Sequence, residues 1–132
     1  MNDPQTIQSI LDNCHTIAVV GLSSHTYRPG YTVPAYLQRH GYRIIPVNPN
    51  LSEALCERAY PDLQSIPEPV DLVLIFRQSQ FVPDIVRQAI EIGARAIWMQ
   101  QGIRHAKAAA HARARGLQVV MDACMMVEYR LR

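Results

Sequence analysis

Short all-apolar blocks alternate along the chain with stretches in which apolar residues return every third or fourth position. The blocks read as strands buried on both faces, and the periodic stretches as helices with one buried stripe. Residues 17–20 form the first block, ended by Gly21, and the polar run SSHTYRPGYT follows as a loop. The pattern then predicts a helix capped by Thr32, with Pro34 in its first turn and Gly41 closing it. Residues 42–47 make a second strand, stopped by the Pro-Val-Asn-Pro run. The mixed stretch 50–69, with Pro61, Pro67 and Pro69, predicts a loop containing a short helical turn over 61–66. Residues 70–76, VDLVLIF, are the strongest strand of the chain. Val82, Ile85, Val86, Ala89 and Ile90 fall on one face of a helix over 79–92, with Pro83 in its first turn and Gly93 at its C-cap. A fourth strand at 94–99, an Ala-rich helix at 105–115 closed by Gly116, and a fifth strand at 117–121 follow. The segment ACMMVEYRL reads either as a terminal helix or as an edge segment, and residues 4–11 as an N-terminal helix.

This order predicts an α/β fold: a doubly wound five-stranded parallel sheet, strand order 3-2-1-4-5, with helices on both faces. The 132 residues suit a single domain, 1–132, and 48% hydrophobic against 18% charged residues gives it a core to bury. No apolar run reaches the roughly 18–20 residues of a membrane helix. The start of the chain lacks the basic cluster and apolar block of a signal peptide. Cys14, Cys56 and Cys124 form no CxxC, and the five His never stand at HxxxH or HExxH spacing. Neither a disulfide framework nor a metal site is expected, and a reducing cytoplasm is the default location.

In a doubly wound sheet ligands bind beyond the carboxyl ends of the strands, where the strand order reverses. Five tips are therefore candidates. At the first, Gly21, Leu22, Ser23 and Ser24 precede a helix whose free N–H groups favour an anion. Arg28 adds a fork suited to phosphate. The loop is neither GxGxxG nor a Walker A sequence. The second tip is Asn48-Pro49-Asn50, without the acid that an NAD-binding strand usually ends in. It suits a ribose or base and does not repel a phosphorylated ribose, although Asn-Pro is also ordinary turn chemistry. At the third, Phe76 and Arg77 end an all-apolar strand. Arg77 answers either a ligand's phosphate or carboxylate, or an acid of the chain such as Asp71 or Asp84. The fourth, Gln100-Gln101-Gly102, offers amides and a Gly that permits close backbone approach. The fifth holds Cys124, which reads more readily as a buried, inert thiol than as a nucleophile.

The blocks TIAVVGLS, Arg28-Pro29, GYRIIPVNP, IPEPVDLVLIFR, IGARAIWMQQGI and GLQVVMDACMM occur in an order that resembles the small stand-alone CoA-binding-domain proteins. These are relatives of the N-terminal domain of the succinyl-CoA synthetase α subunit. The resemblance covers roughly residues 6–130. It implies a Rossmann-like fold with coenzyme A or an acyl-CoA bound across the strand tips. By position, Gly21 to Ser24 and Arg28 would hold the diphosphate and Asn48-Pro49 would lie near the adenosine. Phe76 and Arg77 would flank the nucleotide and pantetheine, and Gln100 to Gly102 would line the pantetheine end. Two positions depart from the family. Gly30 stands where a Ser is frequent, which keeps the backbone N–H but removes a hydroxyl. Ala123 stands where a basic residue is frequent, which removes a contact to the 3′-phosphate or to strand five. The synthetase's phosphorylated His belongs to a second domain, so synthetase activity is not expected of this chain alone.

The expected function is thus binding of a small nucleotide ligand without catalysis. The alternatives are an NAD(P)-binding regulatory domain, or an enzyme acting on acyl-CoA with His25 as base. Neither nucleic acid nor a membrane is an expected partner. Twelve of the thirteen basic residues are Arg, but the net charge is only +2 and they are spread along the chain. Only Arg28 and Arg77, with Arg104 as a third candidate, fall near the predicted crevice.

Overall fold

The computed structural model describes residues 2–132. Helix α1 (Pro4–Asn13) leads into strand β1 (Thr16–Val20), helix α2 (Pro29–Arg39) and strand β2 (Arg43–Val47). A small hairpin, β3 (Glu53–Ala54) and β4 (Glu57–Arg58), precedes β5 (Leu72–Ile75), α3 (Val82–Glu91) and β6 (Ala96–Met99). Then come α4 (Ala106–Ala114), β7 (Gln118–Val120) and α5 (Met125–Leu131).

The five long strands form one parallel sheet in the order β2-β1-β5-β6-β7. Alternate residues of each strand face opposite ways, as the pleat requires. Ile17, Val19, Leu72, Leu74 and Trp98 pack with Leu11, Leu37 and Met125 of α1, α2 and α5. Ala18, Val20, Val73, Ile75 and Ile97 pack with Val86, Ala89 and Ala109 of α3 and α4. Helices cover both faces, which gives the Rossmann-like α/β fold expected from the pattern.

One placement in the expected strand order is corrected. Counting only the long strands, the order is 2-1-3-4-5, not 3-2-1-4-5: β5 pairs with β1, not with β2. The reason lies in β2 itself. Pro46 has no N–H to give to a ladder, which confines such a strand to an edge. Arg43 at its start is exposed, and its far side is met only by an isolated bridge from Val47 to Tyr60. All four residues of β5 are buried, which suits a strand with a neighbour on each side.

One local expectation is also corrected. Helix α2 starts at Pro29 with Arg28 as its N-cap, ahead of Thr32, whose N–H already donates to the Arg28 carbonyl at 2.9 Å. Pro34 is therefore inside the helix. Segment 61–66 is, as expected, a loop with one short turn: Ile66 N–H donates to the Leu63 carbonyl at 3.2 Å, and the Asp62 carboxylate accepts from the Ser65 N–H at 2.9 Å and the Ser65 hydroxyl at 2.6 Å. The segment ACMMVEYRL resolves as helix α5.

Candidate functional site

The chain leaves β1 toward β2 on one side, then returns past it to β5 on the other. The tips of these three strands are consequently tied together. Gly21 N–H donates to the Val47 carbonyl at 2.9 Å, and Phe76 N–H to the Val20 carbonyl at 2.9 Å. Gly21 has φ +89°, and a Cβ there would stand 3.3 Å from the backbone of Phe76 and 3.4 Å from the Arg77 stem. Both conditions require glycine.

The loop after Gly21 is held against α2 by an unusual partner. Pro34 cannot donate to Gly30, four residues earlier, so that helical carbonyl is free. Ser23 N–H takes it at 3.0 Å. Gly30 is buried, and a Cβ on it would meet the Ser23 Cβ at 3.3 Å. The departure at Gly30 therefore permits the loop to lie on the first turn of the helix. Leu22 is buried, and its carbonyl accepts from the Asn48 side-chain amide at 2.9 Å. The Asn48 amide oxygen accepts from Asn50 N–H at 2.8 Å. Asn48 thus shapes the wall between the first two tips as well as lining the cleft. Ser23 Oγ accepts from His25 N–H at 3.0 Å.

Two compartments open from these tips. The first, about 710 Å³, lies between the tips of β1, β2 and β5 and the start of α3. The second, about 650 Å³, lies between the start of α2, the tip of β6 and α5. They share Gly21, Ser23, Arg28 and Phe76, so these four residues form a waist between them. Gly21, Leu22, Ser23, Ser24, Arg28, Asn48, Pro49, Phe76 and Arg77 all line the first compartment. Arg28, Phe76 and Gln100 line the second.

Gly102, predicted for the site, lines neither; its N–H is spent on the Asp122 carboxylate at 2.7 Å, and its φ of +88° serves that turn. Arg104 and Ala123 also lie outside both compartments. His25 lies on the rim of the first, exposed, with its ring 5.6 Å from that of Tyr27. Cys124 is half-buried and faces the second.

Several lining residues escaped the sequence reading. Phe81, Asp84, Ile85 and Gln88 all border the first compartment. Their spacing places them along one side of α3 and the turn before it, a stripe beside the apolar one used for the core. Asp62 and Leu63 come from the bend after the hairpin.

Charge is distributed unevenly. Asp84 is held below the ordinary carboxylate range by Arg87, which donates to it at 2.7 Å, and by Gln88 at 2.9 Å. Asp71 accepts instead from His15 and Thr16 N–H at 2.9 and 3.0 Å, at the amino end of the sheet. Arg77 pairs with neither acid. Its guanidinium lies 4.1 Å from the centroid of the Phe81 ring. The intramolecular alternative raised for Arg77 is thereby removed. In the second compartment Gln100 is only 4% exposed. Its Oε1 accepts from Met125 N–H at 3.3 Å, and among the described residues its amide nitrogen donates to no protein group.

Residues 15–130 match the model of the CoA binding domain family. The chain belongs to this family. Among its relatives is the Bacillus subtilis (strain 168) protein YneT, 38% identical over 123 residues, which are 93% of this chain and 91% of YneT. The ADP-forming acetate–CoA ligase II of Archaeoglobus fulgidus is 31% identical over 80 residues. That match spans 59% of this chain but only 12% of the ligase. A solved structure of a Pyrococcus horikoshii OT3 protein superposes with a TM-score of 0.93 at 34% identity, covering 98% of this chain and 91% of that one. A Thermus thermophilus structure gives a TM-score of 0.91 at 35% identity, covering 98% of both chains. The family resemblance expected from the strand and tip motifs is borne out, and among the described residues of this CoA binding domain no helix is long and apolar enough to cross a membrane.

Proposed function

We propose that this protein binds coenzyme A, free or as an acyl-CoA, along the trough formed by the two compartments, and performs no chemistry on it. The observation behind this reading is the shared waist. A ligand that fills both compartments must be long, with its anionic part at Arg28 and the Gly21–Ser23 loop. The nucleotide then takes the first compartment, near Asn48, Pro49, Phe76 and Arg77. The neutral arm takes the second, where the Gln100 amide is a free donor for an amide carbonyl. Membership in the CoA binding domain family supports the same assignment. It comes to this chain from the family, because most of the ligase relative's length lies outside the match.

The absence of chemistry rests on the lining of the second compartment, where the thioester end would lie. Among the described residues, no carboxylate or His borders it to act as a base or to activate the Cys124 thiol. His25, the candidate base, borders only the first compartment.

Thermal unfolding with CoA, acetyl-CoA, NAD, NADP and ATP in parallel tests the reading. A ligand at 100 times its Kd adds about 2.7 kcal/mol, hence several degrees in a domain of this size. CoA and acetyl-CoA should both raise the midpoint. A rise with NAD and none with CoA would overturn the assignment. Release of free thiol from acetyl-CoA would overturn the non-catalytic part.

A further inference from the structure

The arginines are spread along the chain, but the acids are not. None of the 11 Asp and Glu residues stands between Glu91 and Asp122. That interval carries Arg95, Arg104, Lys107, Arg113 and Arg115, a formal +5, and leaves 8 basic against 11 acidic residues, or −3, for the rest of the chain. A net charge of +2 thus conceals a strongly polarised molecule, and a field of that kind selects and steers partners.

The fold gathers these cations on one helix. Arg104, Lys107, His111, Arg113 and Arg115 are all exposed, ahead of α4, along it and at its end. They span about 17 Å of helix. Ala106, Ala110 and Ala114 are exposed between them and too short to screen them. Among the described residues none of the five forms an ion pair. The nearby acids are engaged: Asp84 and Glu91 of the adjoining α3 both pair with Arg87, at 2.7 and 2.6 Å. The Asp122 N–H donates to the Ile103 carbonyl, and its carboxylate accepts from Gly102 N–H.

The helix itself accounts for only part of this charge. His111, Arg113 and Arg115 lie at the carboxyl end of α4, where the helix dipole favours cations. Arg104 and Lys107 lie at the amino end, where the dipole opposes them. His105 between them is spent as the cap, with Nδ1 accepting from Ala108 N–H at 3.0 Å. Arg104 and Lys107 therefore have neither a partner acid nor a favourable field within the chain.

We propose that the outer face of α4 docks an acidic helix of a partner protein. The short alanines let a partner helix lie close, with its carboxylates reaching the cations on either side. A nucleic acid fits less well, because no exposed Trp, Tyr or Phe stands on α4 for bases to stack on. A long phosphate backbone would also run onto the net-negative remainder of the molecule. A bilayer fits less well again, because α4 exposes no large apolar side chain. Arg104 directly follows Ile103, which borders the second compartment, so the docked partner sits beside the mouth of that compartment.

Fluorescence anisotropy tests this with a labelled Ala-rich helical peptide that carries a row of glutamates, about 20 residues long so that it is helical alone. The whole chain should bind it at least about tenfold more tightly than the same peptide with lysines in place of the glutamates. Arg104→Gln combined with Lys107→Gln should weaken binding about three- to tenfold. Arg39→Gln combined with Arg130→Gln makes an equal change of charge on α2 and α5, and should alter it less than about twofold. In the wild type the peptide should shift backbone amides of 104–116. No binding of the glutamate peptide would overturn the proposal. So would an equal loss in the two double variants, or amide shifts away from α4, since either would reduce the effect to net charge. Tighter binding of a single-stranded oligothymidylate of equal charge, or of phosphatidylserine vesicles, lost in the same α4 variant, would overturn it in favour of those partners. The amide map needs no variant, so a folding defect does not obscure the result. No coenzyme is present, so the outcome is independent of the coenzyme A reading.

Discussion

The two compartments of the trough differ in what they ask of a ligand. The first is polar and charged: Arg77, Asp62, Asp84 and His25 border it along with Asn48 and Gln88. The second has Gln100 and Gln101 among Ile103, Cys124, Met126 and Val127, and no charge but Arg28 at its mouth. Both sit on the tips of the same sheet. The difference arises because the first lies over the point where the strand order turns, and collects loops from three strands and α3. The second is closed by α5, whose apolar side faces the sheet. A fold can thus build one polar and one neutral pocket around a single glycine turn.

The comparison is most strongly broken at the turn itself. Gly21→Val places a β-branched residue at φ +89° and within 3.3 Å of the Phe76 backbone. It should cost about 2–3 kcal/mol of stability and lower the unfolding midpoint by roughly 10 °C. Binding to both compartments should be lost together. Next in size is Arg28→Ala. As the waist residue it should weaken CoA and dephospho-CoA alike, by roughly 10- to 100-fold in titration. A change confined to one of them would deny that Arg28 is shared. Gln100→Leu sharpens the contrast at the second compartment. It should weaken CoA by about tenfold or less while leaving adenosine 3′,5′-bisphosphate unaffected.

A still smaller effect lies away from the trough. Burial pushes the Asp71 carboxyl up, but the N–H groups of Thr16 and His15 and the charge of Arg95 outweigh it, and the net lies below the ordinary value of 3.8. A depressed carboxylate adds stability above its unfolded value and loses it as the pH falls through the folded one. Stability should therefore decline on acidification below about pH 4, a decline that Asp71→Asn reduces, with no effect of that variant on CoA affinity at neutral pH.

Much of this was legible in the chain. The all-apolar β5 and β6 announced a parallel sheet, and the strand tips led directly to Gly21, Ser23, Arg28, Asn48, Phe76, Arg77 and Gln100. The strand order was misjudged although its signal was present: Pro46 marks β2 as an edge. The start of α2 was misplaced because Pro34 reads as a first-turn proline. In the folded chain it lies mid-helix, and the carbonyl it frees is taken by Ser23. Gly102 reads like a binding glycine, yet its N–H serves a turn with Asp122. The α3 stripe of Asp84 and Gln88 was hidden because local periodicity reports which face is buried. It does not report which polar face another loop will approach.

The central claim is that one ligand occupies both compartments across the waist. Backbone amide shifts recorded during titration with CoA, and separately with ADP, test it most directly. The account predicts that Gly21, Ser23 and Arg77 respond to both ligands, whereas Gln100, Gln101 and Ile103 respond only to CoA. Identical sets of perturbed amides for the two ligands, or a CoA response that spares the strand tips, would contradict it.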